Sequence, residues 1–378
     1  MGRTEGGILV VVGTRPEAIK MAPVVHALRT RIPTVPVRLL LTGQHDTLAT
    51  DVLRSFGLTP DGNLGIMREA QTLYDVAQGC LLGIRDEVRG RRPRLVLVQG
   101  DTASVFFGAL TGFFEGIPVG HVEAGLRSGD LSRPFPEEGF RRMTGVLARL
   151  HFAPTTGAAE NLRREGIPDD WIHVTGNPVV DALLDITRRG GEPRDPDLNA
   201  VLSAGHRFAL LTTHRRESWG APLDRILTAA LRLVDETPEL RLLVPVHPNP
   251  RVREPVTRSL GRHPRIHLTP PLGYEDLALA LSRAALVLTD SGGIQEEAPT
   301  FGVPLLVLRE VTERPEGVEA GVAELVGSQV ERILGAAHRA LSAADHGREH
   351  RRRANPYGDG KAGLRIAGIV AEFLGAGP

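Results

Sequence analysis

Short apolar runs alternate with helix-length segments along almost the whole chain, and this rhythm constrains the fold more than any other feature. Ile8–Val12, Val35–Leu41, Leu95–Val98 and Ile117–Val122 each end at glycine or a polar cluster. The pattern resumes with Phe208–Leu211, Leu242–Val246, Ile266–Leu268, Leu286–Leu288 and Pro304–Leu308. Runs rich in Val, Ile and Leu at successive positions suit strands covered on both faces, as in parallel sheets. The sequence therefore predicts an α/β fold of two successive Rossmann-like, doubly wound halves. At 378 residues, each half is long enough to bury a core of its own.

The seam is expected between Ala153 and Gly205. Gly190-Gly191-Glu192-Pro193-Arg194-Asp195-Pro196 has a loop composition, while the strand-like Trp171–Thr175 suits the start of the second half. The expected division is residues 1–172, residues 173–360, and a final helix over 361–378. The run Arg348-Glu349-His350-Arg351-Arg352-Arg353 reads as a solvated helix end, with an anion site as the alternative.

Composition excludes several classes. With 45 basic and 45 acidic residues, the chain lacks the basic excess that nucleic acid or an anionic membrane attracts. The lone Cys80 excludes a disulfide framework and any multi-cysteine metal site. No run is apolar enough for a signal peptide or a bilayer span, so a cytoplasmic location is expected. Only two of the 45 basic residues, Lys20 and Lys361, are lysine. Codon bias toward arginine and a preference for forked phosphate binders both account for that ratio.

Chemistry-bearing residues cluster where the strands end. The first strand runs into Gly13-Thr14-Arg15-Pro16-Glu17-Ala18-Ile19-Lys20, where Pro16 suits a first helical turn and Arg15 stands beside exposed helix N–H groups. Neither G-x-G-x-x-G nor a Walker loop is present, which disfavours a nicotinamide enzyme or a P-loop NTPase. Gln99-Gly100-Asp101-Thr102 and His121-Val122-Glu123 end the third and fourth strands of this half, and Pro134-Phe135-Pro136-Glu137-Glu138 adds two carboxylates. Such a cluster suits proton transfer near neutrality, although a cap or a surface charge explains any one member. In the second half, Thr213-His214-Arg215-Arg216-Glu217 suits a diphosphate or a solvated basic loop. The glycine-rich turn Asp290-Ser291-Gly292-Gly293 suits close approach to phosphate, with Glu296 or Glu297 placed to accept from a ribose. The histidines lack metal-ligand spacing, and His121-x-Glu123 lacks the cysteine pair of a zinc deaminase; no metal is expected.

Taken in order, these motifs resemble the non-hydrolysing bacterial UDP-N-acetylglucosamine 2-epimerases. Gly43-Gln44-His45, Thr312-Glu313-Arg314-Pro315-Glu316 and Asn355-Pro356-Tyr357-Gly358-Asp359-Gly360 complete the set, which covers nearly the whole chain. The resemblance implies a glycosyltransferase-B-like fold: a first domain with acid–base carboxylates, a second that binds UDP, and a last helix returning to the first. It implies reversible interconversion of UDP-N-acetylglucosamine and UDP-N-acetylmannosamine, through loss of UDP to 2-acetamidoglucal and re-addition, with no redox cofactor. By motif, Asp101, Glu123 and Glu137 would be the acid–base carboxylates and His214 would meet the departing diphosphate. Arg15, Lys20, Ser291, Gly292 and Gly293 would hold substrate, and Glu297 the ribose. Gln44, Gln71, Arg215 and His247 resemble positions for a second UDP-N-acetylglucosamine acting as activator, and a homodimer is implied. One departure stands out: the family's P-E-E-x-N-R loop has Phe140 in place of the asparagine. That removes an amide donor and acceptor near Glu137. A hydrolysing epimerase, a retaining glycosyltransferase and a non-catalytic sugar-nucleotide sensor are the competing expectations.

Overall fold

The computed structural model describes residues 6–43, 46–68, 70–345 and 354–376. The chain divides into two compact units: residues up to Ala182 together with the segment from Tyr357, and Leu183–Pro356. The first contains a parallel sheet of β1 (Ile8–Val12), β2 (Val37–Leu41), β3 (Gly62–Asn63), β4 (Leu95–Gln99), β5 (Val119–Val122), β6 (Leu150–Ala153) and β7 (Ile172–Val174). Their spatial order is β3-β2-β1-β4-β5-β6-β7. The second contains β8 (Phe208–Thr212), β9 (Arg241–Pro245), β10 (Ile266–Thr269), β11 (Leu286–Thr289), β12 (Leu305–Val307) and β13 (Ala323–Leu325), in the order β10-β9-β8-β11-β12-β13. Both sheets reverse direction of growth beside their first strand, which is the Rossmann arrangement. The crevice at that reversal is where ligands of such sheets gather.

Strand side chains alternate between two buried faces. In the second unit Leu211, Leu242, Val244, Leu288 and Leu306 pack with Leu223, Ile226, Leu227 and Ile333, whereas Phe208, Leu210, Leu243, Val287 and Leu305 pack with Leu198, Leu281 and Ile294. Two covered faces are the reason these strands read as unbroken apolar runs. In the first unit Leu9, Val11, Val96 and Val98 pack on one face against Ile84, Val88, Val105 and Ala109. Cys80 lies inside that cluster, where burial pushes its thiol up to about 12.

The strand expected over Trp171–Thr175 exists, but β7 pairs in parallel with β6. The first sheet thus extends beyond residue 172, where the boundary was expected. The two units part between Ala182 and Leu183, inside the helix Pro178–Arg189. The final helix, Ala362–Phe373, packs against the helix Arg15–Arg31 of the first unit. Buried Asp181 secures it by accepting hydrogen bonds from the Ala362 and Gly363 amides at 3.1 and 2.8 Å. The cap is supplied from elsewhere in the chain because Lys361, at the N-cap position, makes no side-chain cap. No helix among the described residues is long and apolar enough to cross a membrane.

Asp181→Ala is expected to cost about 1–3 kcal/mol, because it strands two buried amide donors at a helix start. Urea denaturation checks the magnitude, and faster hydrogen exchange at Ala362 and Gly363 checks the location.

Candidate active site

In the first unit the polar residues converge at the carboxyl ends of β1, β4 and β5. Gly13 leaves β1 tightly against Ser104, whose side chain occupies the space a Cβ would need. The chain then enters the helix Arg15–Arg31 with Pro16 in its first turn, as expected from the sequence. Glu17, 2% exposed, accepts from the Gly13 amide at 2.6 Å and from the Thr14 and Thr102 hydroxyls at 2.8 Å each. Burial pushes its carboxyl up to about 7 against the pull of those donors.

Asp101 stands one residue before Thr102 and forms an ion pair with Arg141. Arg141 also lies 3.3 Å from Glu138, a fully buried carboxylate that accepts from the Ser128 amide at 3.0 Å. On the other side of Asp101, the Gly100 carbonyl accepts from His121 Nε2 at 2.7 Å. Burial drives His121 down to about 3, so the ring is neutral and its Nε2 carries the proton.

Glu123 follows β5 with φ +65°, a left-handed conformation that costs a residue with a Cβ about 1–2 kcal/mol. Its surroundings hold it there: Lys20 Nζ and Gln99 Nε2 each lie 2.5 Å from its Oε2. Lys20, expected among the substrate-binding residues, is thus ion-paired with an expected acid–base carboxylate. Glu137 opens the helix Glu137–Leu147, half-buried, after the cis peptides Arg133–Pro134 and Phe135–Pro136. Phe140 stacks on Phe106 with ring centroids 5.3 Å apart. The polar link from this helix to Asp101 therefore comes from Arg141, not from position 140.

The second unit repeats the logic at the ends of β8 and β11. Fully buried Asp290 accepts from the His214 amide at 3.0 Å, the Arg215 amide at 3.1 Å and the Ser218 hydroxyl at 2.9 Å. His214 Nδ1 lies 3.5 Å from the same carboxylate. Burial lowers the His214 pKa and Asp290 opposes that, while Arg215, His247 and Arg309 lower it further. A bound diphosphate would act in the opposite direction, favouring the imidazolium. The His247 ring lies 6.2 Å from that of His214, and its Nδ1 accepts from the Asn249 amide.

Ser291 caps the short helix Gly292–Glu297 through the Ile294 amide. A Cβ on Gly292 would come within 3.1 Å of the Arg215 guanidinium, so glycine there leaves that side chain its room. Gly293 is exposed on the first turn. Buried Glu296 is committed to Arg314, and half-buried Glu297 is its neighbour. Arg309 pairs with Glu217 at 2.5 Å and Glu313 at 3.4 Å, and Thr312 donates to Gln295 at 2.5 Å. The Thr312–Glu316 motif thereby braces both turns. Arg15 is half-buried at the first unit's opening turn, and Gln71 donates to the Ile66 carbonyl at 2.5 Å. Gln44 lies outside the described residues, as does the whole run Arg348–Arg353.

Glu17, Gln99, Arg141 and Asp290 are among the residues of these clusters that carried no expected role. A signal for Glu17 exists, since Thr14-Arg15-Pro16-Glu17 has capping-box spacing. Thr14 makes no side-chain cap, however, and its hydroxyl donates to Glu17 instead.

Two parallel α/β units with polar clusters at the carboxyl ends of their strands are the hallmark of glycosyltransferase-B-like proteins. The family model described as UDP-N-acetylglucosamine 2-epimerase matches residues 26–371. The Yersinia pestis UDP-N-acetylglucosamine 2-epimerase is 45% identical over 366 residues, covering 95% of this chain and 96% of its own. The Bacillus subtilis enzyme of the same name is 44% identical over 367 residues, 97% of this chain and 94% of its own. The crystal structure of the Neisseria meningitidis UDP-GlcNAc 2-epimerase bound to UDP-GlcNAc superposes with a TM-score of 0.85 at 37% identity, covering 97% of this chain and 99% of that one. The chain belongs to the UDP-N-acetylglucosamine 2-epimerase family, whose members are isomerases.

Two buried groups give the first unit opposing pH responses. His121, depressed from 6.5 to about 3, contributes stability above its unfolded pKa that is lost as pH falls toward 3. Glu17, raised from 4.5 to about 7, contributes stability below its unfolded pKa that is lost as pH rises through 7. From pH 6.5 to 4.5 the stability of wild type relative to His121→Gln should fall by about 2 kcal/mol, and relative to Glu17→Gln should rise by about 2 kcal/mol. Urea denaturation of the three proteins at the two pH values measures both differences.

Proposed function

We propose that the protein interconverts UDP-N-acetylglucosamine and UDP-N-acetylmannosamine by inverting C2 of the sugar, without net hydrolysis. The observation that carries this reading is Glu123: a carboxylate at a strand's carboxyl end, held in a strained conformation between Lys20 and Gln99. Strain of this kind clusters where chemistry needs a side chain aimed. The names of the relatives and the ligand of the Neisseria structure support the substrate class.

In this reading a carboxylate of the first unit takes the C2 proton. The C2–H electron pair forms a C1=C2 bond as the C1–O bond breaks, and UDP leaves with that bond's pair. The other product is 2-acetamidoglucal. Re-addition of a UDP oxygen to C1 accompanies protonation of C2 on the opposite face. Asp101, Glu123 and Glu137 are the candidate acid–base groups. His214 would stabilise the charge developing on the diphosphate, aided by its placement on Asp290. Arg15, Ser291, Gly292 and Gly293 would hold phosphate, and Glu297 the ribose. Lys20 would hold the Glu123 carboxylate in place through their ion pair. The activator role of Gln71, Arg215 and His247, and a homodimeric state, complete the proposal.

Incubation with UDP-N-acetylglucosamine in deuterated water should place deuterium at C2 of both sugar nucleotides, read by NMR and mass spectrometry. Folded protein returning only unlabelled substrate would sink the reading, and free N-acetylmannosamine with UDP would establish the hydrolysing alternative. Asp101→Asn should lower exchange by about 100-fold or more while UDP affinity changes little. Lys20→Arg tests whether Glu123 needs a compact ammonium; a loss of about tenfold or more in kcat is expected.

A further inference from the structure

Glu17 is a buried carboxyl of the first unit that touches both turns flanking the reversal of its sheet, and the mechanism above gives it no task. It lies on the turn after β1, and its Oε1 accepts from Thr102, on the turn after β4. The same Oε1 accepts from Thr14, while Oε2 accepts from the Gly13 amide. Each threonine stands at the N-cap position of a helix, Arg15–Arg31 and Ala103–Phe114, and neither makes a side-chain cap there. A threonine at that position ordinarily caps its own helix, which is worth about 1 kcal/mol. Here both hydroxyls are given to one buried carboxylate instead. That is a costly way to build two helix starts, and its result is to lock the two turns together.

The lock lies immediately beside Asp101. Thr102 follows Asp101 and is held by Glu17; Gly100 precedes it and is held by the neutral His121 ring. The backbone of Asp101 is thereby pinned on both sides, while its carboxylate is engaged by Arg141. We propose that Glu17 is a positioning residue for the epimerisation: it fixes the Asp101 turn against the turn that carries Arg15 and begins the helix of Lys20. It acts on these turns through the Thr102 and Thr14 hydroxyls and the Gly13 amide. The second unit supplies a parallel, since buried Asp290 after β11 joins to the turn after β8 through the His214 and Arg215 amides. A carboxylate is suited to this task because it accepts from several donors at once. An amide at position 17 would place N–H groups against either the Gly13 amide or the two hydroxyls. This inference rests on the C2 epimerisation reading.

The test uses full-length protein and four variants: Glu17→Gln, Thr102→Val, the double variant, and Thr102→Ser, which restores a hydroxyl. The readouts are C2 deuterium exchange for kcat and KM, and calorimetric titration with UDP for affinity and stoichiometry. Stoichiometry reports the folded fraction, so a reduced kcat at full stoichiometry is not partial unfolding. Glu17→Gln and Thr102→Val should each lower kcat by about 10- to 100-fold, the scale expected of a misplaced catalytic group, with KM and UDP affinity within about threefold of wild type. The double variant should be no worse than the poorer single one, and Thr102→Ser should recover most of the rate. If Glu17→Gln fails to fold, Thr102→Val and Thr102→Ser carry the comparison, because both leave Glu17 in place. A kcat within twofold of wild type for Thr102→Val or for folded Glu17→Gln would overturn the proposal, as would multiplying losses in the double variant. Wild-type protein without exchange would remove the underlying reading and this inference together.

Discussion

Each sheet of this protein is joined across its point of reversal by a buried carboxylate, and the polar clusters are organised around those two groups. A parallel sheet that grows first one way and then the other leaves a crevice between its first and fourth strands, floored by backbone ends. Nothing in strand pairing alone fixes how the loops on either side of that crevice meet. Glu17 does so in the first unit through Gly13, Thr14 and Thr102, and Asp290 does so in the second through His214, Arg215 and Ser218. A buried carboxylate is expensive unless it is well supplied with donors. In both places the donors come from the loops that need to be held.

The charges around these two groups are sorted by kind. Arginines make the bridges: Arg141 between Asp101 and Glu138, Arg309 between Glu217 and Glu313, Arg314 to Glu296. A planar fork spans two acceptors at once, which suits bracing. The exception is Glu123, whose cation is Lys20, one of only two lysines in a chain of 45 basic residues. The other, Lys361, is exposed. Arginine richness is therefore a background against which one half-buried ammonium stands out. Phe140 fits the same division of labour: the helix Glu137–Leu147 keeps its polar reach through Arg141, and position 140 joins an aromatic cluster with Phe106 and Phe107.

The elements that the sequence announces are those with apolar runs covered on two faces; β1, β4, β8 and β11 emerge within a residue of where periodicity places them. Those it hides are short or peripheral. Gly62–Asn63 has no apolar side chain, Leu150–Ala153 carries a buried His151, and Ala323–Leu325 is an edge strand with an exposed glutamate. Their strand character comes from pairing with a neighbour already in place, which composition does not encode. The same reason moves the division away from residue 172, although it stays within the interval Ala153–Gly205. Trp171–Thr175 resembles the start of a new half, yet its partner is β6, and the division falls ten residues later within a helix.

Sequence alone determined the α/β class, the presence of two parallel sheets, the gathering of polar motifs at strand ends and, through ordered motifs, the family. These follow from local patterns, because burial on two faces and turn chemistry leave marks on neighbouring residues. Tertiary structure decided which of those residues meet. Lys20 and Glu123 are 103 positions apart, Glu17 and Thr102 are 85, and His214 and Asp290 are 76. Their pairing is set by the order of strands in the sheet and by the burial that makes an unpartnered charge untenable. Neither is a property of any short stretch of chain.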